Sequence, residues 1–183
     1  MPILYGGGVA MYIQSHIPVK LRNYLMSCDV EMLWLQVHLP HLKPILLGCC
    51  YRPPSSSSQY LDNLCEMFDR ACDENREIYV LGDLNINFLA SSCPLKNKIL
   101  SMTSACNLVQ VINQPTRVFT NKTGTVSSTC IHHIYTNAGE LCSIAISVTI
   151  GFSDHNLVGI SGKAKVPMAW PKIVYKIVQG FLS

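Results

Sequence analysis

Two short motifs hold the side chains best suited to chemistry: Gly82-Asp83-Leu84-Asn85 and Ser153-Asp154-His155-Asn156. Phosphodiester hydrolysis needs a carboxylate to orient or deprotonate water, an amide or imidazole to stabilise charge on phosphate, and carboxylate oxygens for a hard cation. Asp83, Asn85, Asp154 and His155 supply those types. Each motif alone also has an ordinary structural reading. A Gly-Asp turn after a strand forms because the aspartate accepts backbone N–H bonds, and an Asp-His pair in a loop serves as a surface turn. Their combination is the informative feature, and it needs a sheet that brings the two loops to one edge.

The elements that would do this are legible in outline. Residues 9–13, 30–39 and 45–50 read as apolar, β-prone runs, the last two joined by a Pro-containing turn. After Pro53-Pro54 and four serines the period changes. Leu61, Leu64, Cys65, Phe68, Ala71 and Cys72 recur at three and four residues, which puts one apolar stripe on a helix with Asp62, Glu66, Asp69 and Arg70 outside. Residues 78–81 form a short continuous apolar run before Gly82, the pattern of a strand buried on both faces. A second helix is predicted over 94–106, with a serine at its start, Pro94 in the first turn and Leu95, Ile99, Met102 and Cys106 on one side. Residues 108–112, 117–120, 130–135, 143–149 and 157–160 are further short β-prone runs. Helices interspersed among more numerous strands predict an α/β or α+β sandwich. Residues 163–183 carry no matching pattern and read as an irregular tail.

The 183-residue chain is 49% hydrophobic and 14% charged, enough for one sizeable core and against global disorder. Its formal charge of +3 with scattered basic residues permits nucleic acid without singling it out. Nine cysteines with no C-x-x-C pair and no signal peptide favour reduced thiols in an intracellular, cytoplasmic or nuclear protein. The longest apolar stretch, 32–50, is interrupted by His38, Pro40, His41, Lys43 and Pro44, so no membrane span is expected. Cys130, His132 and His133 are metal-ligating types, but adjacent strand residues point to opposite faces, which argues against zinc there.

The ordered set Gly6-Gly7-Gly8-Val9-Ala10, Glu31 with Trp34, Tyr51-Arg52-Pro53-Pro54, Gly82-Asp83-Leu84-Asn85, Gln114-Pro115-Thr116-Arg117, Thr129-Cys130-Ile131-His132-His133-Ile134 and Ser153-Asp154-His155 resembles the endonuclease domain of non-LTR (LINE-type) retrotransposons. These enzymes belong to the endonuclease/exonuclease/phosphatase superfamily. The resemblance spans residues 6–162. It implies a DNase I-like four-layer α/β/β/α sandwich, Mg²⁺ (or Mn²⁺) as cofactor, DNA as ancestral substrate, a monomer, and a reverse transcriptase domain in the parent element. It makes Asp83 the carboxylate that positions and activates water, and Asn85 and Tyr51 phosphate ligands. Thr129 becomes a hydroxyl near the phosphate backbone, Asp154 the late metal-side carboxylate, and His155 the imidazole that stabilises the pentacovalent phosphate.

Two departures from the pattern predict an impaired enzyme, with a non-catalytic remnant or binding module, or a phosphatase of the same superfamily, as the alternative functions. The family places an Asn strand and a metal-binding Glu upstream of the glycine-rich strand. Nothing in residues 1–5 replaces them, and Glu31 lies on a later strand, so the sandwich is expected to lack its first strand and helix and the cation its principal ligand. At His132 the family has an Asp that orients the late histidine. A neutral imidazole can accept a hydrogen bond there but carries no negative charge to hold an imidazolium.

Overall fold

A computed structural model describes residues 8–163 and 175–179. Its centre is a six-stranded sheet in the order β2-β3-β4-β5-β9-β6, from β2 (Val19–Leu21), β3 (Glu31–Val37), β4 (Ile45–Tyr51), β5 (Ile78–Asp83), β9 (His132–Thr136) and β6 (Val109–Gln110). β4 and β5 run parallel, joined by helix α1 (Ser58–Cys72), while the β3–β4 and β5–β9 pairs are antiparallel. Helix α2 (Pro94–Ala105) follows β5. Three two-stranded ribbons, β1 (Ala10–Gln14) with β12 (Tyr175–Gln179), β7 (Arg117–Thr120) with β8 (Val126–Thr129), and β10 (Cys142–Val148) with β11 (Leu157–Gly162), and two short 3-10 helices, Asn23–Leu25 and Gly139–Leu141, complete the described elements.

The alternation of side chains along each strand sorts the core into two sides. Trp34, Leu46, Cys50, Ile78, Val80 and Tyr135 face the helices, where Leu61, Leu64, Phe68 and Ala71 of α1 and Ile99 of α2 meet them. Trp34 and Tyr135 flank Phe68 edge-on, with ring centroids 6.4 and 6.2 Å away. Each such buried side chain contributes about 1.5–3 kcal/mol from apolar area removed from water. Leu33, Leu35 and Val37 face the other way and pack with Met11 of β1, while Ile134 and Leu81 pack with Val158 and Ile160 of β11. The described layers are therefore helices, central sheet and ribbons.

Several local expectations change. The α1 stripe is as read, and Ser57 caps the helix by accepting from the Tyr60 N–H at 3.3 Å. The cap of α2 is Cys93 rather than a serine, with no side-chain cap bond, and the helix stops before Cys106. The long run at 108–112 yields only the two-residue β6. Strand β5 is well covered on the helix side, but Tyr79 and Leu81 are only half-buried, because an apolar groove of about 470 Å³ runs beneath them between the ribbons. β2, β8 and β12 had no expected counterpart, and β12 lies in the stretch read as an irregular tail, antiparallel to β1 in the register Tyr12↔Ile177. Gly6 and Gly7 of the glycine-rich run lie outside the described residues.

Candidate active site

The register of the central sheet aligns four chemically capable residues in one cross-strand row. Glu31 pairs with Tyr51, Tyr51 with Asp83, and Asp83 with His132. They are the first residue of β3, the last of β4, the last of β5 and the first of β9, so the row runs along one end of the sheet. Residues directly opposite in paired strands share a face. This row shares the face of Leu33, Leu47, Leu81 and Ile134, away from the helices.

Gly82 lets this end close. A Cβ there would stand 2.1 Å from the Cys50 carbonyl oxygen, so only glycine admits the close approach of β4 to β5. Beyond it the chain turns sharply, with Asn85 in the left-handed region at φ 51°. Asp83 Oδ1 accepts the Asn85 N–H at 3.0 Å, and the Asn85 side-chain amide donates to the Arg52 carbonyl at 2.9 Å. That amide has a second N–H for a ligand.

His155 reaches the row from the loop before β11. His132 Nε2 and His155 Nδ1 are 2.7 Å apart and the rings stack at 4.9 Å between centroids, so the two imidazoles share a proton. Asp83 Oδ2 lies 3.8 Å from the same His132 nitrogen. Burial holds the His132 ring below its ordinary pKa; Asp83 draws it back up and His155 pushes it further down. The neighbouring His133 points into the core, where its Nε2 meets the Ile86 carbonyl at 3.0 Å and its Nδ1 meets the Tyr135 hydroxyl at 2.9 Å. Burial pushes His133 down to about 4. Two adjacent histidines thus serve opposite faces, one in the site and one in the core.

The remaining expected site residues lie around this cluster. Asp154 Oδ2 accepts from Arg117 Nε at 2.8 Å, and this bond to Arg117 is the main cause holding the carboxyl below its usual range. Its other oxygen lies 4.0 Å from His155 Nε2. Thr129 pairs with Arg117 in the β7–β8 ribbon, and its carbonyl accepts the Thr116 N–H at 2.8 Å. Tyr51 stands beside Asp83 through the strand register.

Two buried polar residues, Arg52 and Thr116, hold the site in place. Arg52 is buried; its side chain donates to the Leu84 and Ser56 carbonyls at 3.3 and 3.2 Å, while its backbone N–H donates to the Asp83 carbonyl at 2.9 Å. It braces the Asp83–Asn85 turn from below. Thr116 is fully buried, and its hydroxyl oxygen accepts the N–H groups of Ile131 and His132 at 2.9 and 3.0 Å. Its carbonyl accepts the Asn156 N–H at 2.7 Å, which ties the His155 loop to the start of β9.

Among the described residues, the cleft offers a hard cation such as Mg²⁺ few uncommitted carboxylate oxygens. Mg²⁺ demands near-octahedral oxygen ligation. Among the described residues, Asp154 is committed to Arg117, Glu31 accepts from the Gly8 N–H, and Asp83 is flanked by imidazole nitrogen.

No protein-family model matches the sequence, and no curated protein matches it. The fold is that of the DNase I-like endonuclease/exonuclease/phosphatase proteins, as solved structures show. The endonuclease domain of TRAS1, a telomere-specific non-LTR retrotransposon, matches with a TM-score of 0.70 at 12% identity, covering 85% of this chain and 81% of that one. A 3′ phosphatase from Neisseria, NExo, solved with a product DNA hairpin, matches at 0.55 and 12% identity, over 82% of this chain and 72% of its own. An endonuclease/exonuclease/phosphatase family protein from Bacteroides thetaiotaomicron matches at 0.50 and 10% identity, over 81% and 64%.

Proposed function

We infer that the cleft is a nuclease-type phosphodiester site, with DNA as its ancestral polymer, that retains its phosphate-binding parts and has lost most of its Mg²⁺-dependent hydrolysis. The observation that carries this reading is the row that ends at Asp83 and His132 and is met there by His155, with an imidazole pair at 2.7 Å where the resembling enzymes hold a carboxylate against the late histidine. In such a site Asp83 orients the attacking water, and Asn85, Tyr51 and the Arg117 guanidinium meet phosphate oxygens. The β7–β8 ribbon beside His155 adds exposed Phe119 and Lys122, suited to backbone contact.

The imidazole of His132 carries no negative charge to stabilise a protonated His155 as the reaction advances. The nitrogen-rich donor set also leaves the phosphate without a well-held hard cation. Nicking of supercoiled plasmid in Mg²⁺ by the purified chain is therefore expected to match a control carrying Asp83→Ala and His155→Ala. Binding to duplex DNA is expected to persist at low salt and weaken steeply as salt rises, as phosphate contacts require. Robust Mg²⁺-dependent nicking abolished by Asp83→Ala would overturn the impaired reading. Release of phosphate from an inositol phosphate without DNA binding would move the protein to the phosphatase branch.

A further inference from the structure

We propose that Asp83, His132 and His155 form a three-ligand site for a borderline divalent transition-metal ion of the Zn²⁺ class, with an open fourth position facing the cleft. The proposal rests on the geometry and chemistry of these three side chains and does not depend on the phosphodiester reading.

One ligand atom from each residue lies within 4.8 Å of the others. His132 Nε2 is 2.7 Å from His155 Nδ1 and 3.8 Å from Asp83 Oδ2. Zinc binds imidazole nitrogen and carboxylate oxygen at about 2.0–2.2 Å, so donors at neighbouring tetrahedral corners stand about 3.3 Å apart. The two measured edges bracket that separation, each about half an ångström from it, which side-chain rotation alone can take up.

The supports are firm. Asp83 ends β5 and His132 begins β9 in direct register, so their backbones are fixed by the central sheet. The loop bearing His155 is tied down by the bridge to Arg117 and by the Asn156 N–H bond to Thr116.

The donor types decide the class of ion. Two imidazole nitrogens with one carboxylate oxygen suit zinc, cobalt, nickel and copper, whereas magnesium and calcium prefer oxygen throughout. Three protein ligands plus one open position is the arrangement of exchangeable rather than closed structural zinc sites. The side chains of Asp83 and His155 are 24% and 39% exposed, so the fourth corner is reachable from solvent.

The surroundings suit a ligating His155. With both inner nitrogens on the metal, the proton shared by the two rings moves to an outward ring nitrogen. For His155 that atom is Nε2, which faces Asp154 Oδ1 at 4.0 Å, and Asp154 is itself anchored by Arg117 at 2.8 Å. That separation is longer than a hydrogen bond, but the carboxylate charge favours a proton on the far nitrogen, the side on which metal-bound histidines usually meet a carboxylate.

The test is titration of the chelator-stripped full chain with Co²⁺, followed by visible absorption. One equivalent should raise ligand-field bands typical of a four- or five-coordinate ion, displaced by equimolar Zn²⁺ and unaffected by a hundredfold excess of Mg²⁺. His155→Ala and His132→Asp should each weaken Co²⁺ binding at least tenfold, while His16→Ala, at an exposed turn outside the site, should not. Circular dichroism and thermal melts of the metal-free variants separate ligand loss from unfolding. Absence of a one-to-one complex overturns the proposal. So does a sulfur-to-cobalt charge-transfer band in the near ultraviolet that persists in both site variants, since it would place the ion on the free cysteines. The plasmid assay and the cobalt spectrum read different properties, so failure of one reading leaves the other intact.

Discussion

At the scale of single residues, the site depends as much on buried polar atoms that hold it as on the groups that face the cleft. Thr116 satisfies two backbone N–H groups that have no strand partner. Thr116→Val keeps the shape and removes the acceptor, leaving two buried donors unpaired at about 1–3 kcal/mol each. Denaturant unfolding should register a loss of about 3 kcal/mol, and a loss below about 0.5 kcal/mol would show that other acceptors replace the hydroxyl. His133 gives a pH signature. Its folded pKa of about 4 lies below the ordinary 6.5, so the fold favours the neutral ring. The stability this residue contributes is complete above pH 6.5 and drains as pH falls toward 4, about 3 kcal/mol over the window. Unfolding measured at several pH values across that window should decline more shallowly in His133→Gln than in the wild type. Parallel curves would remove His133 from the account.

At the scale of elements, the meeting of β4, β5 and β9 sets the site, and Gly82 is where that packing is tightest. Gly82→Ala sets a methyl group against the Cys50 carbonyl, a backbone atom that cannot swing aside. The strands must separate by more than half an ångström, and overpacking of this kind costs about 1–3 kcal/mol. The expected outcome is a lowered melting temperature together with weaker DNA and Co²⁺ binding, because Asp83 is the next residue. Unchanged stability and binding would show that the strand ends are looser than their register implies. The helix α1 was legible from its period alone, since its stripe and its polar face both follow the sequence. β2 and β8 were not, because short or polar edge strands exist only through the partner they pair with.

At the scale of the whole molecule, the helices pack against one face of the central sheet, and among the described residues the ribbons leave part of the other face uncovered. The uncovered part is a groove of about 470 Å³ lined by Leu42, Leu47, Tyr79, Leu81, Leu141 and Ile160 among others. The native protein at neutral pH should therefore enhance the fluorescence of an apolar dye, a property rare in compact native folds. Leu141→Glu, at a position 42% exposed on the groove, should reduce the signal without lowering stability. A signal that survives this change would place the dye elsewhere, for instance on the exposed Ile144, Ile146 and Leu157 of the β10–β11 ribbon.

The sequence by itself determined which residues share a face. The two-residue period of β9 sends His132 to one side and His133 to the other, and the helical period of α1 fixes its buried stripe. It also placed Asp83 at the end of a strand, beyond a glycine, and that position follows from local chain chemistry. Only the tertiary structure decided which residues are neighbours. Asp83, His132 and His155 come together because strand register and a hydroxyl clamp at Thr116 join segments distant along the chain. Asp154 is drawn to Arg117 by the same folding. Local period is written in adjacent residues, whereas register is set by burying whole strands against one another, so the distances among donor atoms follow only from the tertiary structure.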